Sequence, residues 1–163
     1  MNQWRDRPVE IANLFNPAFC AVLLDQAIKA YERETSTGLP YSLSFVILPV
    51  VLHERTRSVL PTTTRTRMRQ WIIDNPQVKI GFAERVSNLI PIVKETILFG
   101  LQIGAFTISD DGHIHSVPRK ISSARWERQT EPYECVRKAK MVGKWFGLSD
   151  SVAGIYSILG VQL

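Results

Sequence analysis

Residues 90–117 read IPIVKETILFGLQIGAFTISDDGHIHSV, and this stretch decides the fold. Its first half is largely apolar, with Pro91 suited to the first turn of a helix and Gly104 well placed to end that helix. Its second half alternates apolar and polar residues on both sides of the turn at residues 109–112, which ends in Asp-Gly. Such a pattern is a strong short-range signal for a hairpin. We therefore predict a helix over about 90–103, followed by a β-hairpin.

Two more helices are predicted directly before this stretch. The threonines at 62–64 can cap the first of them, and Asn75-Pro76 stops it. The second covers residues 78–88, with Ile80, Ala83 and Val86 facing inward. Three helices followed by a hairpin are the order of a winged helix-turn-helix.

The flanking segments are predicted to be helical as well. Asn16-Pro17 opens a helix, because Asn16 can cap it and Pro17 suits its first position. The apolar run 43–52 is expected to be a short buried helix that Pro49 kinks, although a buried strand over 42–48 is the alternative. After a charged loop, a helix is predicted from Glu134 to Trp145. A last short helix, capped by Ser149, is predicted to follow it.

The predicted fold class is mainly α with a small β-hairpin, in a single domain over residues 1–163. A winged helix-turn-helix core is expected at 62–117. An N-terminal helical extension at 1–61 and a C-terminal helical extension at 118–163 flank it.

Charge is unevenly distributed along the chain. The net charge is +5 and the isoelectric point is about 9.5. The excess lies in residues 53–69, with five arginines against Glu54, and in residues 117–145, with eight cations against three glutamates. Such a balance is compatible with nucleic acid or an acidic protein partner, and also with a solvated basic face.

The third predicted helix argues against a sequence-specific DNA reader. A recognition helix needs Arg, Lys, Asn or Gln that reach base edges. Residues 90–103 carry only Lys94, Glu95 and Gln102 among apolar residues. A helix this apolar is expected to be buried on more than one side, in the core or against a partner. We therefore favour a protein-interaction module.

Features of an enzyme are weak. His113 and His115 point to the same side of a strand, but a metal site needs further ligands and only His53 remains as a third histidine. Cys20 and Cys135 lie in apolar contexts and are expected to be buried free thiols. No phosphate-binding, dinucleotide-binding or HExxH motif occurs. We expect no catalytic, cofactor-binding or metal-binding residues and no small-molecule substrate.

A cytoplasmic location is expected. The N-terminus lacks the apolar region of a signal peptide, and the longest apolar runs are too short or too interrupted to span a bilayer.

Several blocks of the sequence, taken together, point to a known family. The blocks are RPVEIANLFNPAFCAVLL (7–24), PYSLSFVILPVVLHERTRSVLP (40–61), RMRQWIIDNP (67–76), LIPIVKETILFGLQIG (89–104) and KWFGLSDSVAGIYSILGVQL (144–163). They resemble the middle component of bacterial three-component ABC ATPase conflict systems, including the small subunit of Lamassu-type anti-phage defence.

The resemblance implies a non-enzymatic adaptor that bridges an SMC/Rad50-like ABC ATPase subunit and an effector subunit, often a nuclease. Contact with DNA through the ATPase is left open, and no membrane partner is expected. The family supplies no catalytic residues to carry over. The alternative is a stand-alone winged-helix regulator that binds nucleic acid as a symmetric dimer.

Candidate interface residues are chosen by charge, by exposed aromatic character and by match to these blocks. On a helix, Arg65 and Arg69 share a face while Arg67 points elsewhere. Tryptophan beside arginine is a frequent composition at binding hot spots. The candidate partner or DNA-backbone residues are Trp4, Arg7, Arg55, Arg57, Arg65, Arg69, Trp126 and Arg128.

Overall fold

Helix α1 begins where its capping residues predict. The computed structural model describes residues 15–118, 121, 126–149 and 151–162. Helix α1 covers Pro17–Thr35, and the Asn16 side chain accepts a hydrogen bond from the backbone N–H of Ala18 at 2.9 Å. Ser36 ends the helix in the left-handed region.

The apolar run after α1 is helical, which settles the helix-or-strand alternative. A 3₁₀ turn at Tyr41–Leu43 leads into α2, Ser44–Leu52, with Pro49 inside it. Nearly every side chain of α2 is buried, so packing on several sides stabilises a helix that local preference alone would not. A short helix, α3, follows at Glu54–Ser58.

The two helices predicted at 78–88 and 90–103 are one helix, so the predicted break at Pro91 is wrong. Helix α4 covers Met68–Asp74, a 3₁₀ turn covers Pro76–Lys79, and α5 runs without interruption through Phe82–Gln102. Proline inside a helix removes one hydrogen bond and costs about 3 kcal/mol. The buried stripe of α5 lies on both sides of Pro91, so core packing offsets that cost. The stripe consists of Phe82, Val86, Val93, Thr96, Ile97 and Gly100.

The threonines at 62–64 do not cap a helix, which corrects a second prediction. Helix α4 begins only at Met68, and no side chain caps it. Backbone carbonyls of the preceding segment accept hydrogen bonds from buried side chains instead of continuing a helical ladder. Tertiary contacts therefore outweigh the local capping signal.

The predicted hairpin is present, with a third strand that was not predicted. Strands β2, Phe106–Ile108, and β3, His113–Ser116, pair antiparallel. Strand β1, Leu39–Pro40, pairs antiparallel with the other edge of β3, which gives the order β1-β3-β2. A strand of two residues that contains proline looks like a loop in sequence.

The sheet is tied to α1 by side chains as well as by its backbone. Ser116 donates a hydrogen bond to the buried carboxylate of Asp25 at 2.5 Å. His115 lies 3.1 Å from Glu32, from Nδ1 to Oε1. Because β3 also pairs with β1, and His115 and Ser116 contact side chains of α1, the hairpin lies on the body of the protein. The winged-helix core expected at 62–117 is not confirmed, because that segment contains two α-helices and a 3₁₀ turn before the hairpin in place of the three predicted helices.

Helix α1 lies at the centre of the core. It packs most extensively on α6, Glu131–Gly147, and then on α5, β3 and α2. Gly143 permits the closest approach, because a Cβ there would lie 2.1 Å from the backbone oxygen of Ala27. The helices predicted as N- and C-terminal extensions therefore share one hydrophobic core with the segment between them.

The last helix, α7, covers Val152–Leu159. Its cap is Ser151, whose side chain accepts from the N–H of Gly154, and not Ser149 as predicted. Helix α6 also begins three residues before the predicted Glu134. Among the described residues, no helix has the length and apolar character needed to cross a bilayer.

Candidate interaction surface

The structure distributes the predicted interface residues over several environments. Trp4 and Arg7 lie outside the described residues. The side chains at four other positions are exposed: Arg55, Arg65, Arg69 and Arg128. Trp126 is half-buried, and its ring packs edge-to-face on Phe19 of α1 with centroids 5.8 Å apart.

Arg57 is directed into the protein. It is 7% exposed, and its Nη1 donates to the carbonyls of Val51 at 3.0 Å and Leu52 at 3.2 Å, at the C-terminal end of α2. Its Nη2 donates to Glu131 at the start of α6, at 2.5 Å. The guanidinium thus joins three helices, and a charge that the sequence assigned to a basic surface holds the core together.

Residues 59–67, here called the basic loop, are fixed by three buried donors. Lys138 of α6 donates to the carbonyls of Leu60 at 2.6 Å and Pro61 at 3.2 Å. The indole N–H of Trp71 donates to the carbonyl of Val59, and that of Trp145 to the carbonyl of Thr66, each at 2.8 Å. The two indoles also pack edge-to-face, with centroids 5.2 Å apart. The loop that carries Arg65 and Arg67 is therefore ordered by the body of the protein.

A cleft of about 450 Å³ lies between the end of this loop, α4, the end of α6 and α7. We call it the basic cleft. Two arginines and several aliphatic side chains line it; the lining includes Arg67, Met68, Arg69, Leu148, Ile155 and Ile158.

Helical spacing predicts that Arg67 points away from Arg69, but both side chains line the basic cleft. The spacing rule for helices does not apply to Arg67, because it precedes the first residue of α4 and has extended backbone angles. The sequence does not predict Leu148 or α7 as parts of the site. The amino-acid pattern carries no signal that brings residues 148–158 beside residues 67–69.

A second cleft, of about 520 Å³, lies along α5 at the start of α1. We call it the apolar groove; it is lined chiefly by Pro17, Ile90, Pro91, Lys94, Leu98 and Phe99. Leu98 is 58% exposed although it lies on a helix whose opposite face is in the core. Burial on more than one side is expected for this helix; one face lies in the core, and the other presents apolar side chains at the surface.

The two clefts lie near opposite ends of α1. Pro17, the first residue of α1, lines the apolar groove. At the other end, Gly147 lies against Glu34 and Thr35, and Leu148 of the basic cleft follows it. Since α1 has 19 residues, its ends are about 27 Å apart at a rise of about 1.5 Å per residue. A body of this length can contact two partners at once.

The thiols of Cys20 and Cys135 are buried and have raised pKa values. Burial raises the pKa of Cys20 to about 12 and that of Cys135 to about 11. A nucleophilic cysteine needs a lowered pKa, so both thiols are protonated and unreactive near neutral pH. Among the described residues, no group of three or more His, Cys, Asp or Glu side chains could hold a metal ion.

Fold and surface together define a small, mainly helical protein with a three-stranded sheet and two clefts that suit contact with other macromolecules. The chain matches the family model of the ABC-three component (ABC-3C) system Middle Component 3 over residues 4–163, and it belongs to this family. This confirms the resemblance of the sequence blocks to a middle component of three-component ABC ATPase systems. Neither the curated proteins nor the solved structures searched contain a match.

Proposed function

We propose that this protein is a non-catalytic adaptor in a bacterial anti-phage defence complex of the Lamassu type. In this role it bridges an SMC/Rad50-like ABC ATPase and an effector, which we take to be a nuclease, in the cytoplasm. Membership of a middle-component family supports the proposal, because a middle component of a multi-subunit ABC system has protein partners.

The observation that carries the proposal is the pair of clefts of different character near opposite ends of α1. The apolar groove exposes Ile90 and Leu98, and such exposed apolar residues grouped on one face are typical of protein contacts. The basic cleft combines arginine with aliphatic side chains. Two unlike surfaces fit two unlike partners better than they fit one substrate.

A stand-alone nucleic-acid-binding regulator receives less support. Its recognition helix would be the second half of α5, where the exposed positions are Ile90, Pro91, Lys94, Leu98 and Gln102. A single lysine and a single glutamine give little capacity for reading base edges. The adaptor proposal includes contact with DNA through the ATPase.

The test is co-expression with the two genes encoded beside this one, followed by capture on a tagged ATPase with and without nuclease treatment. The proposal predicts that the effector is recovered only when this chain is present, and that nuclease treatment leaves the recovery unchanged. Recovery of the effector without this chain would contradict the bridging role. Recovery that nuclease abolishes would favour the nucleic-acid alternative.

A matched pair of variants directs the same test at the apolar groove. Leu98→Glu places a charge on the groove, whereas Ile73→Glu places one on a similarly exposed isoleucine of α4, outside both clefts. The exposed fractions are 58% for Leu98 and 62% for Ile73, so neither change should disturb the core. We expect Leu98→Glu to lose one partner and Ile73→Glu to retain both.

A further inference from the structure

The basic cleft has the features of a preformed binding site for a polypeptide. Its walls include the basic loop, whose carbonyls are held by Lys138, Trp71 and Trp145. Because these donors are buried in the core, the backbone of the loop has little conformational entropy left to lose when a ligand enters. A site of this kind favours a ligand that matches its fixed charges.

The charge at the cleft is positive and uncompensated within the described part of the chain. Arg67 and Arg69 line the cleft, and Arg65 is exposed on the same loop. None of the three is in an ion pair with another described residue. Asp150, between two lining serines in sequence, lies outside the described residues, and three arginines against this single carboxylate still leave a positive balance.

The floor of the cleft is aliphatic. Met68 and Ile155 line it and are almost fully buried, whereas Ile158 is partly exposed and Leu148 is 53% exposed at the edge, so these last two provide the accessible aliphatic surface. The aromatic side chain among the lining residues, Trp145, is 3% exposed and already packs against Trp71. Among the described lining residues, a nucleobase would therefore find no free ring to stack on, whereas an aliphatic side chain would find matching surface.

The first turn of α7 adds to the preference for a carboxylate. Gly154 of that turn lines the cleft, and the N-terminal end of a helix carries a partial positive charge. Together with the arginines, it favours anionic groups beside an apolar one.

We propose that the basic cleft binds an acidic segment of a partner protein in which an aliphatic side chain is flanked by Asp or Glu residues. The aliphatic side chain contacts Leu148 and Ile158, and the flanking carboxylates pair with Arg67 and Arg69. This inference rests on the proposed function, since it identifies the chemistry of one of the two partner contacts. Arginine suits the role because its planar guanidinium binds carboxylates in a bidentate manner.

The experiment uses the co-expressed three-subunit complex with a photo-crosslinking amino acid at position 148. Mass spectrometry then identifies the segment that is crosslinked. The expected product is a peptide of the ATPase or the effector that contains Leu, Ile or Val with acidic residues on either side. A crosslink to a segment without acidic residues, a crosslink to nucleic acid, or no crosslink in an assembled complex would overturn the inference.

Charge reversal supplies the second readout. Arg67→Glu with Arg69→Glu should weaken binding of the crosslinked partner about tenfold or more, since attraction becomes repulsion at two positions. Reversing the acidic residues of the crosslinked segment to lysine should restore it. The control is Arg33→Glu, an exposed arginine of α1 outside the cleft, which should leave binding unchanged.

Failure of the inference and failure of the proposed function are distinguishable. If the complex assembles but the crosslink or the charge reversal fails, only the inference is overturned. If no complex assembles, the proposed function fails, and the purified chain is titrated with a fluorescent peptide of leucines flanked by glutamates. Binding that the double arginine variant loses and that duplex DNA does not displace would then support the inference. Absence of peptide binding would overturn it.

Discussion

At the scale of single residues, two cations that the sequence pattern assigns to the surface are buried and stabilise the fold. Arg57 and Lys138 are 7% and 5% exposed, and both donate to backbone carbonyls. Sequence reasoning placed both in basic stretches, because a lysine or arginine in a charged run is usually solvated. Lys138 donates to the carbonyls of Leu60 and Pro61, which are distant from it in sequence, so no local pattern predicts its burial. Exposed Arg65 and Arg69, by contrast, occur where a charge run predicts them.

Replacement of Lys138 should destabilise the fold. Lys138→Met keeps the aliphatic stem but leaves the carbonyls of Leu60 and Pro61 without their donor. A buried acceptor without a partner costs about 1–3 kcal/mol, so the free energy of unfolding should fall by about that amount. Urea denaturation followed by tryptophan fluorescence measures it. Lys140→Met, at an exposed position of the same helix, is the control and should change stability by less than about 0.5 kcal/mol.

His53 should make stability depend on pH. Its Nδ1 accepts a hydrogen bond from the N–H of Thr56 at 3.3 Å as the cap of α3, a role that needs the neutral ring. Burial lowers the pKa of His53, and the nearby charges of Arg85, Arg55 and Arg57 lower it further.

The direction of the pH dependence follows from the lower pKa of His53 in the folded state than in the unfolded state. The unfolded state binds a proton on His53 at a higher pH than the folded state does, so stability is full above pH about 6.5 and is lost as the pH falls below it. His53→Asn keeps a capping side chain without the titration. Denaturation curves at several pH values should show a smaller acid loss for the variant. Equal acid losses in the two proteins would mean that His53 does not contribute.

At the scale of elements, local signals predicted starts and stops well where nothing competes with them. The Asn16-Pro17 start of α1 and the hairpin at 106–116 are both present. Pro91 and the threonines at 62–64 carry equally clear signals, yet the structure overrides them. In both cases long-range packing determines the structure. A continuous buried stripe stabilises α5 on both sides of Pro91, and hydrogen-bond donors from α4 and α6 hold the basic loop in a non-helical conformation. Such contacts have no local pattern in sequence.

The contact between α1 and α6 depends on Gly143. A Cβ at this position would lie 2.1 Å from the oxygen and 2.6 Å from the Cα of Ala27, which are backbone atoms that cannot rotate away. Gly143→Ala should therefore force the helices apart and lower the free energy of unfolding by about 1–3 kcal/mol, even though alanine favours helix. Thermal unfolding followed by circular dichroism measures the change, with Lys140→Ala as the control. A variant as stable as the parent would show that the two helices are not in close contact.

At the scale of the whole molecule, the candidate site is assembled from segments that are far apart in sequence. The basic cleft joins residues 64–69 to residues 145–158, and the apolar groove joins Pro17 to α5. The sequence predicts individual interface arginines and an unusually apolar helix. Only the tertiary fold groups these residues with others into two clefts. The family match over residues 4–163 indicates a component of a larger ABC system, and the proposed adaptor role assigns a separate contact to each cleft.

The central claim is that the two clefts hold different partners, and single-cleft variants test it most directly. Mass photometry of complexes purified through this chain would compare the parent, Leu98→Glu, and Arg67→Glu combined with Arg69→Glu. The account predicts a three-subunit mass for the parent and two different two-subunit masses, because each variant releases a different partner. Loss of the same partner from both variants, or an intact three-subunit complex in both, would contradict it.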